Sequence, residues 1–104
     1  MQFQKVSVLT RFKPVKGKKE ELIEYLVDTA NTLSANETGT EICVVSTTPI
    51  DESAVYLYEV YAGQPDKDKH ESTKAYGVAL KKTQDLIEVA PEIIPLIPQG
   101  GKGA

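Results

Sequence analysis

The segment AVYLYEVYA at positions 54–62 constrains the fold more than any other part of the chain. Side chains of an extended strand alternate between its two faces, so Val55 and Leu57 share one face while Tyr56 and Tyr58 share the other. Both faces are therefore apolar or aromatic, whereas an antiparallel sheet with one face in water carries polar residues on that face. The first strand has the same two-sided character. We therefore expect both faces of this sheet to be covered.

Periodicity predicts five further elements. Alternation of period two indicates strands, and apolar residues at helical spacing indicate amphipathic helices. Gly77 is a weak point within the second predicted helix, and prolines restrict the last apolar segment to an edge strand or an extended arm. In chain order we expect a strand at 4–13, a helix at 18–34, strands at 40–48 and 54–62 joined as a hairpin, a helix at 65–89 and the apolar segment at 91–98.

The element order βαββαβ predicts an α+β fold of the ferredoxin-like type, an antiparallel four-stranded sheet with two helices on one face. A chain of 104 residues has no further element for the other face. A second copy of the protein is the simplest cover, so we expect a homodimer. The predicted organisation is a single domain at 1–98 followed by a flexible tail at 99–104.

Composition argues against several function classes. The 12 basic and 15 acidic residues leave no positive excess to attract nucleic acid or an anionic membrane. A single cysteine, Cys43, and a single histidine, His70, rule out an internal disulfide framework and any metal site that needs several thiolates or imidazoles. Cys43 is expected to be a small buried hydrophobe. No apolar run is long enough for a signal peptide or a membrane span, so we expect a soluble, cytoplasmic protein.

His70 is the candidate general base. Histidine is the residue type that ordinarily titrates near neutrality, and the chain has only this one. On a regular helix His70 falls at the border of the apolar face, a position that aims it at a cleft between helix and sheet. The same border position suits a solvated surface histidine, so the sequence leaves both roles open.

Three stretches of the chain resemble one protein family. They are VSVLTRFKPVKGKKEEL at 6–22, TGTEICVV at 38–45 and LYEVYAGQPDKDKHESTKAY at 57–76. The shared features are a glycine before the second strand (Gly39), a glutamate two residues before an aromatic (Glu59) and a histidine near the start of the second helix. Over nearly the whole chain these stretches resemble the antibiotic biosynthesis monooxygenase domain.

The resemblance implies ferredoxin-like protomers that pair into a dimeric α/β barrel, and oxygenation of an electron-rich aromatic substrate without metal or organic cofactor. It implies His70 as the base that removes a substrate proton. Many members carry a second histidine shortly after the first, where this chain has Ala75 and Tyr76. The haem-degrading branch uses asparagine, tryptophan and histidine where this chain has Thr10, His70 and, approximately, Leu80, so the resemblance does not extend to haem degradation.

Three further residues are candidates for substrate binding. Thr10 lies on the predicted helix-facing side of the first strand, where its hydroxyl could donate to a ligand. Tyr58 and Tyr76 could face the helices and stack on a planar substrate or donate a hydrogen bond. Structural packing is the alternative for all three. Arg11 and Glu59 are expected to point away from the helices, where the two could form an ion pair in the dimer. A solvent-exposed Glu59 is the alternative.

Three function hypotheses follow. The leading one is a homodimeric, cofactor-independent monooxygenase that acts on a small phenolic, quinol or polyketide-like substrate, by proton abstraction at His70 and direct reaction with dioxygen. The second is an isomerase of a small hydroxyketone or its phosphate, which shares the proton abstraction and needs no oxygen. The third is a non-catalytic ligand-binding or stress-associated module in which His70 only packs.

Overall fold

The computed structural model describes residues 4–104, without the side chain of Ser34. Four strands and three helices make up this part of the chain. In chain order they are β1 (Val6–Phe12), α1 (Lys19–Ser34), β2 (Thr40–Thr48), β3 (Asp51–Tyr61), α2 (Gln64–Glu71), α3 (Lys74–Gln84) and β4 (Glu92–Leu96).

The four strands form one antiparallel sheet in the order β2-β3-β1-β4. Pro49 and Ile50 separate β2 from β3, which pair as the predicted hairpin. The central pair of strands aligns Thr10 with Leu57 and Val8 with Glu59. This arrangement confirms the predicted α+β, ferredoxin-like fold, and each strand lies within or close to the segment that its periodicity indicated.

The segment predicted as one helix at 65–89 is two helices. α2 ends at Glu71, and α3 begins after Thr73, whose hydroxyl accepts a hydrogen bond from the backbone N–H of Tyr76 at 3.1 Å. A threonine at this position satisfies one of the free N–H groups at a helix start, which stabilises a new helix there. The helix therefore breaks at Thr73 and not at Gly77, which lies inside α3. That Gly77 weakens this helix stays a prediction.

The apolar core lies between the sheet and α1. Phe12 of β1 and Val55 of β3 pair across the sheet and point to the same side. They pack with Leu22, Leu26 and Leu86 as a cluster of buried side chains. The apolar positions of α1 recur at helical spacing, so that one stripe of this helix covers the sheet. We call this side of the sheet the covered face.

The opposite side of the sheet, which we call the open face, has no helix on it among the described residues. It carries the alternate side chains of each strand: Ile42, Val44, Tyr56, Tyr58, Leu9, Arg11, Ile94 and Leu96. Val44 is 49% exposed and Leu96 is 42% exposed. The apolar open face predicted from the sequence is therefore present in the protomer.

β4 is the edge strand that the prolines predicted. It pairs with β1 alone, and it contains Pro95 opposite Val8. Ser7 donates its hydroxyl hydrogen to the carbonyl of Leu96 at 3.2 Å and so helps to hold this edge. Among residues 4–104, no helix is long and apolar enough to cross a membrane. The assignment of 1–98 as one domain and 99–104 as a tail stays a prediction.

Candidate active site

A cavity of about 120 Å³ lies between the covered face of the sheet and helices α1 and α3. Most of its wall is apolar, with Phe12, Leu26 and Leu57 among the residues that line it. Its polar lining is formed by Thr10, Thr29, Cys43, Glu59, His70, Tyr76 and Thr83. An apolar pocket with a few convergent polar groups is the usual form of a small-molecule site.

His70 lies in the last turn of α2 and is 4% exposed. Its Nδ1 atom is 2.7 Å and 2.9 Å from the two carboxylate oxygens of Glu37. Its Nε2 atom faces Glu59, whose Oε2 atom is 3.8 Å away. The sequence places His70 at the border of the apolar face of its helix, and the structure shows it buried. It is buried because the segment before β2 and strand β3 both pack against this end of α2.

Glu37 belongs to the short connection between α1 and β2, and this connection is held against α2. The backbone N–H of Ala62 donates to the carbonyl of Gly39 at 2.8 Å. A Cβ atom at Gly39 would collide with the side chain of Asp66 on α2, so this close approach requires glycine. The hydroxyl of Thr40 donates to Glu37 Oε2 at 3.4 Å. These contacts fix the carboxylate of Glu37 beside the imidazole.

Glu59 lies on the covered face and lines the cavity. Its Oε2 atom accepts a hydrogen bond from the hydroxyl of Tyr61 at 2.6 Å. Burial raises the pKa of Glu59, and the Tyr61 hydrogen bond and the nearby His70 only partly oppose this effect. Burial also raises the pKa of the Tyr61 hydroxyl, and the Glu59 carboxylate raises it further. The cavity therefore has a carboxyl group that holds its proton more firmly than an exposed glutamate does.

Tyr76 reaches the cavity because the helix breaks before α3. Its ring lies edge-on to the imidazole of His70, with 5.2 Å between the ring centroids. Burial raises the pKa of the Tyr76 hydroxyl, with the charges of Glu71 and Glu59 adding to the effect. The phenol therefore stays protonated and is able to donate a hydrogen bond.

Of the residues predicted to form the site, the structure brings together His70, Thr10 and Tyr76. The expectation that Tyr58 faces the helices is wrong. Tyr58 pairs with Leu9 across the sheet and points to the open face, because it is one residue removed from Leu57, which lines the cavity. Cys43 is half-buried and lines the cavity, and is not the fully buried core residue that was expected.

The predicted pair of Arg11 with Glu59 is also wrong. Arg11 does point to the open face, where its Nη2 atom donates to Asp51 Oδ2 at 2.6 Å. Glu59 pairs with Val8 on the covered face and contacts Tyr61 and His70. The alternation of AVYLYEVYA by itself predicts that Glu59 lies on the covered face, because Glu59 is four residues from Val55 and so shares its side of the strand.

Sequence reasoning missed Glu37 altogether. It lies 33 residues from His70 in a polar stretch without periodicity, so no local pattern connects the two. From the sequence, Gly39 is only a loop residue and part of the family resemblance, and its close approach to α2 depends on the tertiary structure. Among the described residues, no group of three or more His, Cys, Asp or Glu side chains is arranged to hold a metal ion.

No protein-family model matches the sequence. No curated protein matches it by sequence either.

Solved structures, by contrast, match the fold over almost the whole chain. A candidate antibiotic biosynthesis monooxygenase from Caulobacter crescentus CB15 aligns with a TM-score of 0.87 at 21% identity, over 95% of this chain and 93% of the other. A second such candidate, from Chloroflexus aurantiacus J-10-fl, aligns with a TM-score of 0.79 at 24% identity, over 95% and 97% of the two chains.

SnoaB, a cofactor-independent oxygenase from Streptomyces nogalater, aligns with a TM-score of 0.83 at 11% identity, over 97% of this chain and 99% of the other. The chain therefore has the fold of these proteins, and it spans nearly their full length. At these low identities the structural match establishes the fold alone, and function must be argued from the site.

Proposed function

We propose that the chain is a member of the antibiotic biosynthesis monooxygenase family and acts as a cofactor-independent monooxygenase on a small phenolic or quinol-like substrate. The observation that carries this proposal is His70, buried at the wall of an apolar cavity with Nδ1 on the carboxylate of Glu37. The likeness of the fold to candidate monooxygenases and to SnoaB supports the family.

The size of the cavity favours a single aromatic ring. An engineered apolar cavity of about 150 Å³ binds benzene, and the cavity beside His70 measures about 120 Å³. A hydroquinone is the simplest substrate that combines one ring with a hydroxyl group for His70. Larger polyketide-like rings would require the walls formed by α1 and α3 to move apart.

The proposed reaction begins when Nε2 of His70 takes the proton of a substrate hydroxyl. The resulting phenolate passes one electron to dioxygen, and the two radicals combine to form a carbon–oxygen bond. The peroxide then takes up a proton and loses water, which leaves a hydroxyquinone. Hydroquinone and O₂ thus give hydroxybenzoquinone and H₂O, and the substrate supplies all four electrons that reduce dioxygen. The phenol of Tyr76 is available to donate to the developing oxyanion.

The charge of the cavity favours this reaction over the isomerase alternative. Among the described residues that line the cavity there is no lysine or arginine, and Glu59 brings a carboxyl group. A phosphorylated hydroxyketone would bring a phosphate to a site with acidic groups and no cation to bind it. A neutral hydroxyketone remains compatible with the site, and so does a non-catalytic role as a ligand-binding module.

The proposal includes a homodimer that covers the open face. On that face the two edge strands, β2 and β4, carry exposed apolar side chains: Ile42, Val44, Ile94 and Leu96. A symmetric pair of sheets would bury the same side chains of both copies.

The test is turnover of methylhydroquinone under ¹⁸O₂, measured by oxygen consumption and by mass spectrometry of the product. We expect one ¹⁸O atom in the quinone product, and a loss of roughly a hundredfold or more in rate in His70→Ala. Lys69→Ala, which removes the exposed neighbouring side chain, is the matched control and should keep full activity. Turnover that is unchanged in His70→Ala would rule out His70 as the base, and turnover without oxygen would favour an isomerase.

A further inference from the structure

The pair formed by Glu37 and His70 joins two distant parts of the chain at one end of the cavity. We infer that Glu37 is a positioning residue that holds His70 as its Nδ1–H tautomer, so that the Nε2 lone pair faces the cavity as the proton acceptor. The catalytic meaning of this inference rests on the proposed function. The tautomer itself is a property of the protein without substrate.

The distances on the two sides of the imidazole are unequal. Nδ1 is within hydrogen-bond distance of both Glu37 oxygens, at 2.7 Å and 2.9 Å. Nε2 is 3.8 Å from Glu59 Oε2, which is too far for a hydrogen bond. A carboxylate oxygen only accepts hydrogen bonds, so its partner nitrogen must carry the hydrogen. The tautomer of a histidine is set by the hydrogen bond that one of its nitrogens makes, and here that nitrogen is Nδ1.

Among the described residues, no side chain is within hydrogen-bond distance of Nε2. Glu59 Oε2 already accepts from the hydroxyl of Tyr61. Tyr76 of α3 approaches with its ring edge and not through a hydrogen bond. On α2 itself, Glu71 is engaged by Lys67 at 2.9 Å. Among the described residues, the only hydrogen-bond partner of the imidazole is thus Glu37.

Glu37 is itself fixed, as a positioning residue must be. Its side chain is 19% exposed, against 5% for that of His70, so the pair lies largely out of water. The Thr40 hydroxyl contacts its Oε2 atom, and the Gly39 carbonyl ties the connection to the end of β3. A buried charge-assisted hydrogen bond is stronger and better oriented than one at the surface.

The experiment exploits the fact that His70 is the only histidine in the chain. In ¹⁵N-labelled protein, long-range ¹H–¹⁵N correlation spectra at a pH where the ring is neutral distinguish the two tautomers without any assignment ambiguity. We expect the Nδ1–H pattern in the wild type. In Glu37→Gln the amide is able to donate to Nδ1, and we expect the population to move towards Nε2–H, the form that a free histidine side chain favours.

Glu41→Gln is the matched control, because it removes the same charge four positions away, where Glu41 pairs with Lys5 at 2.8 Å and not with His70. The control should keep the wild-type pattern, and Glu37→Asp should retain most of it. A wild-type spectrum of the Nε2–H form would overturn the inference even if Glu37→Gln failed to fold. An unchanged tautomer in a folded Glu37→Gln protein would overturn it as well.

Activity provides the second measurement. If the proposed function holds, Glu37→Gln should lower kcat roughly a hundredfold with little change in KM, since it changes the base and not the binding of substrate. An Nδ1–H tautomer in a protein without oxygenase activity would contradict the proposed function and leave the role of Glu37 intact. Oxygenase activity that depends on His70 but not on Glu37 would contradict the role of Glu37 alone.

Discussion

The two faces of the sheet are formed by the same strands, but their side chains have different surroundings. On the covered face, Phe12 and Val55 enter a packed core, and the side chains further along the same strands line a cavity with Glu59 and His70. On the open face, Val44 and Leu96 are apolar and exposed. The chain's own helices pack on the covered face, whereas among the described residues no helix packs on the open face. The difference shows that the chain's own helices are enough to enclose a candidate site on one face of the sheet, while apolar side chains of the other face stay exposed in the protomer.

The largest expected effect comes from removing a core side chain of the covered face. Phe12→Ala should lower the free energy of unfolding by about 4 kcal/mol, because Phe12 is buried and leaves a cavity behind. Val44→Ala on the open face should lower it by less than about 1 kcal/mol, because Val44 is half exposed in the protomer. Urea unfolding of both variants at one protein concentration measures the contrast. Equal losses would mean that the open face is as fully buried as the core.

The next largest effect is expected on the open face, where the proposed dimer would form. Leu9→Lys places a charge at the centre of that face on β1, next to Tyr58. If two copies pair there, each dimer acquires two buried charges, and we expect the dimer dissociation constant to rise roughly a hundredfold or more. Val78→Lys, at a 59% exposed position of α3, is the matched control. Sedimentation velocity at several concentrations measures both variants, and a monomeric wild type would refute the homodimer.

A smaller change in the free energy of unfolding is expected when either of two glycines near the covered face is replaced by alanine, with opposite signs for the two positions. Gly39→Ala should lower the free energy of unfolding by about 1–3 kcal/mol, because the new Cβ atom meets the side chain of Asp66. Gly77→Ala should raise it by about 0.5–1 kcal/mol, because nothing lies near that position and alanine favours the helix. Thermal and urea unfolding give both values. A neutral Gly39→Ala would show that the connection carrying Glu37 is loosely packed.

The smallest expected effect is on the pH dependence of stability, and it has opposite signs for two carboxyl groups, one on each side of the sheet. Burial raises the pKa of Glu59 above its ordinary 4.5. The folded state therefore binds this proton more tightly than the unfolded state, and stability falls as the pH rises above about 4.5. Hydrogen bonds from Ser53, and then Arg11, lower the pKa of Asp51 from 3.8 to about 2. Stability from Asp51 is therefore present above pH 3.8 and is lost as the pH falls towards 2.

Unfolding midpoints between about pH 2.5 and pH 8 test these opposite signs. Glu59→Gln should unfold at a higher temperature than the wild type at neutral pH and should lose part of the decline above pH 4.5. Asp51→Asn should lose part of the decline on the acid side. A Glu59→Gln variant that is less stable than the wild type at neutral pH would show that the carboxylate of Glu59 is favourable in the fold.

Local patterns predicted much of this molecule. Alternation in β1 and β3 correctly separated Phe12 and Val55 from Tyr56, and the spacing of Leu22 and Leu26 located the stripe of α1 that packs on the sheet. The same parity places Glu59 on the covered face with Val55, so the expectation that Glu59 points away from the helices misapplied the alternation. The helix break at Thr73 had only one local sign, a threonine suited to a helix start.

The sequence by itself determined which residues share a face of each strand and helix, because side-chain direction follows from backbone periodicity. It also determined that His70 is the only histidine available for acid–base chemistry. Only the tertiary structure decided that Glu37 meets Nδ1 of His70 and that Glu59 faces Nε2. These contacts join the connection before β2, the end of α2 and strand β3, and distances between such separate segments depend on how the whole chain packs.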